Sequence, residues 1–139
     1  MAQQPISAPE LESSDKWEAQ MRKGCLEMAV LASLWYGRLY GLEILRVLER
    51  ESSLILAEGT VYPILNRLRT EGLLQSQWVE AEAGHPRKYY ELTPKGRERV
   101  IRMAETWTRF AAGLGRLIEA VLTAKNANNN RHYNVEQTL

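Results

Sequence analysis

The sequence predicts a mainly α-helical fold with one small β-hairpin. The most informative stretch is AEGTVYPILNRLRTEGLL, residues 57–74, whose apolar residues recur with the period of an amphipathic helix. A polar and aromatic segment ending in GHPRKYYELTPKG follows directly and has the alternation of a hairpin. A long apolar heptad pattern occupies the last third of the chain. This order predicts a winged helix-turn-helix with a small β-hairpin wing, followed by a long C-terminal dimerisation helix.

The length and composition indicate one globular domain outside the membrane. The chain has 139 residues, of which 45% are hydrophobic and 25% charged, as in ordinary soluble proteins. A formal net charge of +1 is too small to indicate a nucleic-acid partner by itself. We find no signal-peptide pattern and no apolar run long enough to cross a bilayer. We therefore expect a cytoplasmic protein with no membrane contact.

Enzymes are excluded as a class by the motifs that the chain lacks. It contains no glycine-rich phosphate loop, no metalloprotease motif and no nucleophile elbow. Its two histidines, His85 and His132, are too few for a convincing metal or acid–base site. The single cysteine, Cys25, excludes a disulfide within the chain. We expect no cofactor and no bound metal.

Composition divides the chain into four parts. Residues 1–14 are rich in Gln, Pro, Ser and Glu and are expected to be disordered. The winged helix-turn-helix domain is expected to span residues 15–93, and the dimerisation helix residues 94–125. The polar, Asn-rich residues 126–139 are expected to form a disordered tail.

The first helix is predicted to run from Asp15, which forms a capping box with Glu18, to about Tyr36. One apolar stripe contains Trp17, Met21, Cys25, Met28, Ala32 and Trp35. A second apolar face contains Leu26, Val30, Leu31 and Leu34. A helix that is apolar on two sides is predicted to lie between its own core and a partner.

The second helix is predicted over Leu42–Glu51, with Ile44, Leu45 and Leu48 facing inward. The third helix is expected to begin between Ala57 and Thr60. Ala57 is a poor N-cap, and capping by Thr60 instead would place Pro63 in the first turn. Gly72 is expected to end this helix.

The third helix has one apolar face and one face suited to DNA. Val61, Ile64, Leu65 and Leu68 share the apolar side. The opposite side carries Thr60, Tyr62, Pro63 and Asn66, which we expect to approach bases or the sugar-phosphate backbone. Arg67 is expected to hold a phosphate, although an ion pair with Glu71 is the alternative and the two roles can coexist. For Tyr62 the alternative is packing between the helix and the wing.

The wing is predicted to consist of strands over 74–82 and 87–92, joined by a loop with Gly84 and Pro86. Arg87 and Lys88 are expected to hold phosphates, and Tyr89 to lie near DNA. Further cations follow at Lys95, Arg97, Arg99 and Arg102. Beside the third helix this cluster favours DNA binding, and an ordinary solvated surface is the alternative.

The last helix is predicted to begin with Thr93 as N-cap and Pro94 at its first position. Its heptad seam contains Val100, Ala104, Trp107, Ala111, Leu114, Ile118 and Val121. A flanking stripe contains Met103, Phe110 and Leu117. A small domain cannot cover both stripes, so we predict a symmetric homodimer whose interface includes Trp17 and Met21. The alternative is a helix folded back on its own domain.

Four blocks in this order resemble the PadR family of bacterial transcriptional regulators. They are GLEI at residues 41–44, EGTVYP at 58–63, the residues of RLxxEGL at 67–73 and PRKYYxLT at 86–93. The resemblance implies a winged-helix, double-stranded-DNA-binding regulator, most often a repressor. In some relatives, aromatic residues of the last helix line a pocket for flat hydrophobic effectors. Here the candidate pocket residues are Trp17, Met21, Met103, Trp107 and Phe110.

Two further alternatives stay open at this point. Trp107 and its neighbours can serve only as packing in the dimer interface, without binding an effector. The whole domain can also be a winged-helix module that binds proteins rather than DNA.

Overall fold

The first part of the fold consists of two helices connected through a short strand. The computed structural model describes residues 8–52, 54, 56–81 and 84–137. Helix α1 spans Ala8–Ser33, strand β1 spans Leu39–Tyr40 and helix α2 spans Gly41–Ser52. The carboxylate of Glu43 accepts a hydrogen bond from the backbone N–H of Tyr40 (3.3 Å), which caps the start of α2.

The second part contains the third helix, the hairpin and the long last helix. Helix α3 spans Glu58–Thr70, β2 spans Leu74–Val79, β3 spans Arg87–Leu92 and α4 spans Pro94–Gln137. The three strands form one antiparallel sheet in the order β1-β3-β2. In its register Leu39 is opposite Tyr90, and Trp78 is opposite Lys88.

The core forms where the helices and the sheet bury one apolar face each. Helix α1 contributes the face that was predicted from its second apolar stripe. Helix α3 contributes Val61, Leu65 and Leu68, all fully buried, while Ile64 is half-buried. The remaining buried apolar residues are Leu26, Val30, Leu31, Leu34, Ile44, Leu48, Leu73, Leu74, Tyr90, Leu92 and Val100.

The chain separates into two compact units after Ile101. The first unit ends with the opening turns of α4 and includes the whole sheet and α1–α3. The second unit, from Arg102 onward, contains the rest of α4. Thr93 caps α4 as predicted, since its hydroxyl accepts a hydrogen bond from the N–H of Gly96 at 3.0 Å.

Several helix ends differ from the predicted ones. Helix α1 begins at Ala8 rather than Asp15 and ends at Ser33, where N–H groups of Leu34 and Trp35 turn back to carbonyls three residues earlier. Helix α4 continues to Gln137, past the expected end near residue 125. Once a helix is nucleated, each added residue costs little, so polar sequence without a stop signal can extend it.

The start of α3 decides between the two capping alternatives. The N-cap is Ala57, which makes no side-chain cap, and its carbonyl accepts the N–H groups of Thr60 and Val61. Capping by Thr60 is therefore wrong, and Pro63 lies inside the helix rather than in its first turn. Because proline has no N–H, the carbonyl of Gly59 has no donor four residues ahead, and the exposed position of Gly59 lets water take that place.

Strand β1 was not predicted, because two residues carry no alternation pattern. The predicted wing strands are otherwise confirmed, except that β2 ends at Val79. Tyr90 and Leu92 are buried while Glu91 is exposed, as the alternation predicted. Gly84 in the wing loop has φ of 109°, which favours glycine at that position.

Candidate nucleic-acid interface

The side of α3 opposite the core is exposed along its whole length. Thr60, Tyr62, Pro63, Asn66, Arg67 and Thr70 are all exposed in the described structure. This places every residue that was predicted to approach DNA from α3 on one accessible surface. The surface offers hydroxyl, phenol, amide and guanidinium groups, which are the groups that hydrogen-bond to base edges and phosphates.

Tyr62 is only partly available, because it packs on the start of α2. A Cβ atom added to Gly41 would come within 2.7 Å of the Tyr62 phenol oxygen. Gly41 therefore allows the ring to lie against the backbone, while 43% of Tyr62 stays exposed. The packing alternative and the DNA-facing alternative for Tyr62 are both compatible with this position.

The amide of Asn66 accepts a hydrogen bond from its own helix. Its Oδ1 accepts a hydrogen bond from Arg69 Nη2 at 2.9 Å, and its backbone carbonyl accepts one from the Thr70 hydroxyl at 2.9 Å. The bond from Arg69 restricts the amide, and a restricted side chain loses less entropy when it meets a partner.

The wing carries two cations that rest on aromatic rings. The Arg87 guanidinium lies 4.6 Å from the ring centre of Tyr40. The Lys88 ammonium lies 5.8 Å from the ring centre of Trp78 and 5.7 Å from that of Tyr90. These contacts stabilise the cations without neutralising them, so their charge remains available to an anion.

The sheet face that carries Tyr40 and Arg87 has a second contact between an aromatic ring and a cation. Tyr89 packs edge-to-face on Tyr40 with ring centres 5.5 Å apart, and the Arg38 guanidinium lies 4.9 Å from the Tyr89 ring centre. Tyr89 is half-buried in this arrangement. It is thus a packed residue at the wing surface rather than a freely exposed side chain.

A groove of about 560 Å³ separates α3 from the wing. It is lined by Tyr40, Gly41, Leu42, Tyr62, Asn66, Trp78, Pro86, Arg87, Lys88 and Tyr90. Sequence reasoning missed Trp78, because strand alternation places it on the face of the buried Leu74 and only the structure shows that 64% of it is exposed. The groove brings together the amide and phenol groups of α3 and the cations of the wing.

Lys95, Arg97 and Arg99, which follow the wing, make contacts within the protein. Lys95 Nζ donates to the carbonyl of Glu71 at 3.0 Å. Arg97 donates to the carbonyl of Trp35 at 3.4 Å, and its guanidinium lies 4.9 Å from that indole ring. Together with Arg99, which pairs with a carboxylate of α1, these residues fasten the start of α4 to other helices. All three cations are exposed, and each also has a partner within the protein.

Arg67 is also paired within the protein. Its guanidinium lies 3.1 Å from Glu71 Oε1 and 3.6 Å from Glu27 Oε2. The ion pair with Glu71, which was the stated alternative, is present. The contact with Glu27 was not predicted, since forty positions separate the two residues in the sequence.

Burial changes the titration of one aromatic residue at the bottom of the groove. Burial raises the pKa of the Tyr90 phenol above its ordinary value of 10.0, and Tyr62 raises it further. Arg69 opposes the rise, because a cation favours the phenolate.

Helices α1 and α4 each carry several exposed apolar side chains. In α1, 62% of Trp17 is exposed and Met21 is exposed as well. In the second unit the exposed or half-buried residues of the predicted seam are Ala104, Trp107, Ala111, Leu114, Ile118 and Val121. Val100, which was predicted to belong to the dimer interface, is instead 5% exposed and packs in the core of the first unit.

The candidate effector residues of the second unit form a short aromatic cluster. The rings of Trp107 and Phe110 lie 6.3 Å apart and are tilted by 44°. Met103 is half-buried, and 60% of Phe110 is exposed.

In residues 8–52, 54, 56–81 and 84–137, no three His, Cys, Asp or Glu side chains are grouped so that they could hold a metal ion. Within the same described segments, no helix has the length and apolarity needed to cross a membrane.

The fold and this surface define a winged-helix protein of the type that regulates transcription. Residues 30–102 match the model of the transcriptional regulator PadR-like family. The chain belongs to this family. No curated protein matches the chain.

Solved structures agree with the family assignment. A PadR-like transcription factor from Bacteroides fragilis is 37% identical, with a TM-score of 0.61 over 73% of this chain and 98% of the other. A PadR family regulator from Eggerthella lenta is 28% identical, with a TM-score of 0.71 over 81% of this chain and 98% of the other. Bacillus subtilis PadR in complex with operator DNA is 25% identical, with a TM-score of 0.54 over 57% of this chain and 46% of the other.

Proposed function

We propose that this chain is a dimeric DNA-binding repressor of transcription that acts in the cytoplasm. The observation that carries the proposal is the exposed polar face of α3 beside a groove whose other wall holds Arg87 and Lys88. The similarity to a PadR protein that was crystallised with operator DNA supports the same partner for this chain.

In this proposal α3 enters the major groove of double-stranded DNA. Thr60, Tyr62, Pro63 and Asn66 meet base edges or sugars, and Asn66 can address adenine through two hydrogen bonds. The strand that borders the major groove then passes between α3 and the wing, where Arg87 and Lys88 hold phosphates beside Tyr89. Trp78 joins the predicted contacts, since its exposed indole lines the same groove. Arg67 is left out of the phosphate contacts because two carboxylates already pair with it.

We infer a homodimer from the exposed apolar stripes. A soluble protein rarely leaves Trp107, Leu114 and Ile118 exposed on one helix unless a partner covers them. A second copy of the same helix is the natural cover for an a/d seam. Two copies would then present two α3 helices to two half-sites of one operator.

A flat hydrophobic effector is the proposed regulator. It would bind at Trp107 with Phe110 and Met103, and change the separation of the two α3 helices. Planar aromatic compounds should then quench tryptophan fluorescence and lower DNA affinity. Unchanged fluorescence and affinity would leave Trp107 with a packing role only.

The test is a titration of the protein into a labelled fragment from upstream of its own gene, in a series of salt concentrations. A scrambled fragment of the same composition is the control. We expect tight, salt-sensitive binding with preference for the native fragment. Weak binding without preference would favour the alternative function, a winged-helix module that binds protein partners.

A further inference from the structure

Glu27 of α1 takes part in both ion pairs that join different elements in the described part of the chain. Its Oε2 lies 3.6 Å from Arg67 Nη2 of α3, and its Oε1 lies 3.6 Å from Arg99 Nη2 of α4. The other ion pairs of the described residues stay within one helix or, for Arg67 with Glu71, within α3 and its C-cap. One carboxylate thus connects three helices.

The surroundings of this carboxylate strengthen its charge interactions. The side chain of Glu27 is only 22% exposed, and Oε1 is enclosed without a hydrogen-bond partner. A buried acceptor without a hydrogen bond destabilises the folded state, so another interaction has to compensate for it. The two guanidinium groups supply it as charge attraction, which weakens less with distance than a hydrogen bond does.

We propose that Glu27 is a positioning residue for DNA recognition, which fixes the orientation of α3 by holding Arg67. The inference rests on the proposed function. Arg67 directly follows Asn66 in α3, so a rotation that releases Arg67 also displaces the amide that faces DNA. In this arrangement Arg67 is an anchor between α1 and α3 rather than a phosphate contact.

The charge balance predicts what removal of the carboxylate does. Glu27, Glu71, Arg67 and Arg99 together are neutral. Glu27→Gln keeps the shape of the side chain but leaves the two guanidinium groups without the charge between them. Of the two ion pairs of Arg67, only the one with Glu71 at the end of its own helix then remains, and no ion pair connects Arg67 to α1.

The experiment is a double-variant cycle on DNA affinity. Wild-type protein, Glu27→Gln, Arg67→Gln and the double variant are titrated into the native and scrambled fragments at several salt concentrations. Glu18→Gln is the matched control, since Glu18 lies in the same helix but pairs only with the exposed Arg22. Thermal unfolding of each variant sets a temperature at which all of them are folded.

We expect Glu27→Gln and Arg67→Gln each to weaken binding to the native fragment about fivefold, or roughly 1 kcal/mol. The double variant should be no weaker than either single one, and the salt dependence should stay that of wild type. Loss of folded protein alone would lower the apparent affinity for both fragments equally. A displaced Asn66 would instead reduce the preference for the native over the scrambled fragment. Glu18→Gln should change neither.

The contrary result is equally specific. If Arg67 holds a phosphate, Arg67→Gln lowers the salt slope by about 1, and Glu27→Gln tightens binding by removing a negative charge. That outcome, or additive losses in the double variant, would overturn the inference alone. Wild-type protein without preference for the native fragment would overturn the proposed function as well.

Discussion

The phenol group of Tyr62 in α3 lies so close to Gly41 at the start of α2 that a Cβ atom on Gly41 would be 2.7–2.9 Å from the phenol oxygen and two ring carbons. The ring fits there only because Gly41 has no side chain. Since part of the ring remains exposed, Tyr62 can move outward if that space is filled. The placement of Tyr62 in the groove therefore depends on a residue from another helix.

Gly41→Ala should change DNA binding more than stability. The added methyl group displaces the Tyr62 ring, and we expect affinity for the native fragment to fall about three- to tenfold, or roughly 1 kcal/mol. The free energy of unfolding should change little, because the clash is with the end of a side chain that can move. Fluorescence anisotropy and denaturant unfolding measure the two quantities. Adding Gly41→Ala to Tyr62→Ala should cause no further loss of affinity, and an additive loss would contradict this account.

Substitution of the wing cations and substitution of Asn66 should affect DNA binding in different ways. Replacing both Arg87 and Lys88 by alanine removes phosphate contacts, so affinity should fall on every sequence and the salt slope should decrease by about 2 in total. Asn66→Ala removes a contact with a base edge, so it should mainly reduce the preference for the native over the scrambled fragment. Titrations of both variants on both fragments make the comparison. Identical losses on the two fragments for both variants would refute this division of roles.

The sequence was sufficient to predict the elements with strong periodicity. The buried face of α3, the alternation of β3 and the cap at Thr93 each follow from local spacing, and the structure confirms them. The opposite, polar face of α3 followed from the same helical period.

Contacts between distant positions could not be predicted. The placement of Glu27 between Arg67 and Arg99 depends on how three helices pack, and nothing in local sequence spacing encodes it. For the same reason Arg97, which rests on Trp35, looked like a free cation in the sequence. The start of α3 was ambiguous because Ala57 gives no side-chain capping signal.

Gly96 near the start of α4 should be essential for stability. A Cβ atom there would overlap the carbonyl oxygen of Leu73, and that oxygen is fixed because it accepts the N–H of Thr93 at 3.1 Å. Gly96→Ala should therefore lower the free energy of unfolding by about 2–3 kcal/mol through overpacking against backbone. Gly24→Ala is the control, because no atom lies within 4 Å of its added Cβ. That control should gain up to about 1 kcal/mol from better helix propensity. Denaturant unfolding that shows equal effects for both would rule out the close contact.

Tyr90 should make the protein less stable at alkaline pH. Its folded pKa is raised above the ordinary 10.0, so the unfolded chain loses the phenol proton first as pH rises. Stability from the neutral phenol is fully present below pH 10.0, and it is lost between that pH and the higher folded pKa. Tyr90→Phe removes this loss, so the difference in unfolding free energy between wild type and variant should change across that range. Tyr36→Phe, at a fully exposed position, should show no such change.

Trp107→Glu tests the proposed dimer most directly. The indole is 43% exposed in the single chain and lies in the middle of the predicted seam, so a dimer would bury it against the partner helix. Burying an unpaired carboxylate there costs far more than an exposed substitution, and the dimer should dissociate. Light scattering should then report a mass near 15.9 kDa, against twice that mass for wild type. Arg109→Glu in the same helix is the control, because its side chain points away from the seam and its charge change is larger. A wild-type mass of one chain would refute the dimer, and an unchanged dimer mass for Trp107→Glu would exclude Trp107 from the interface.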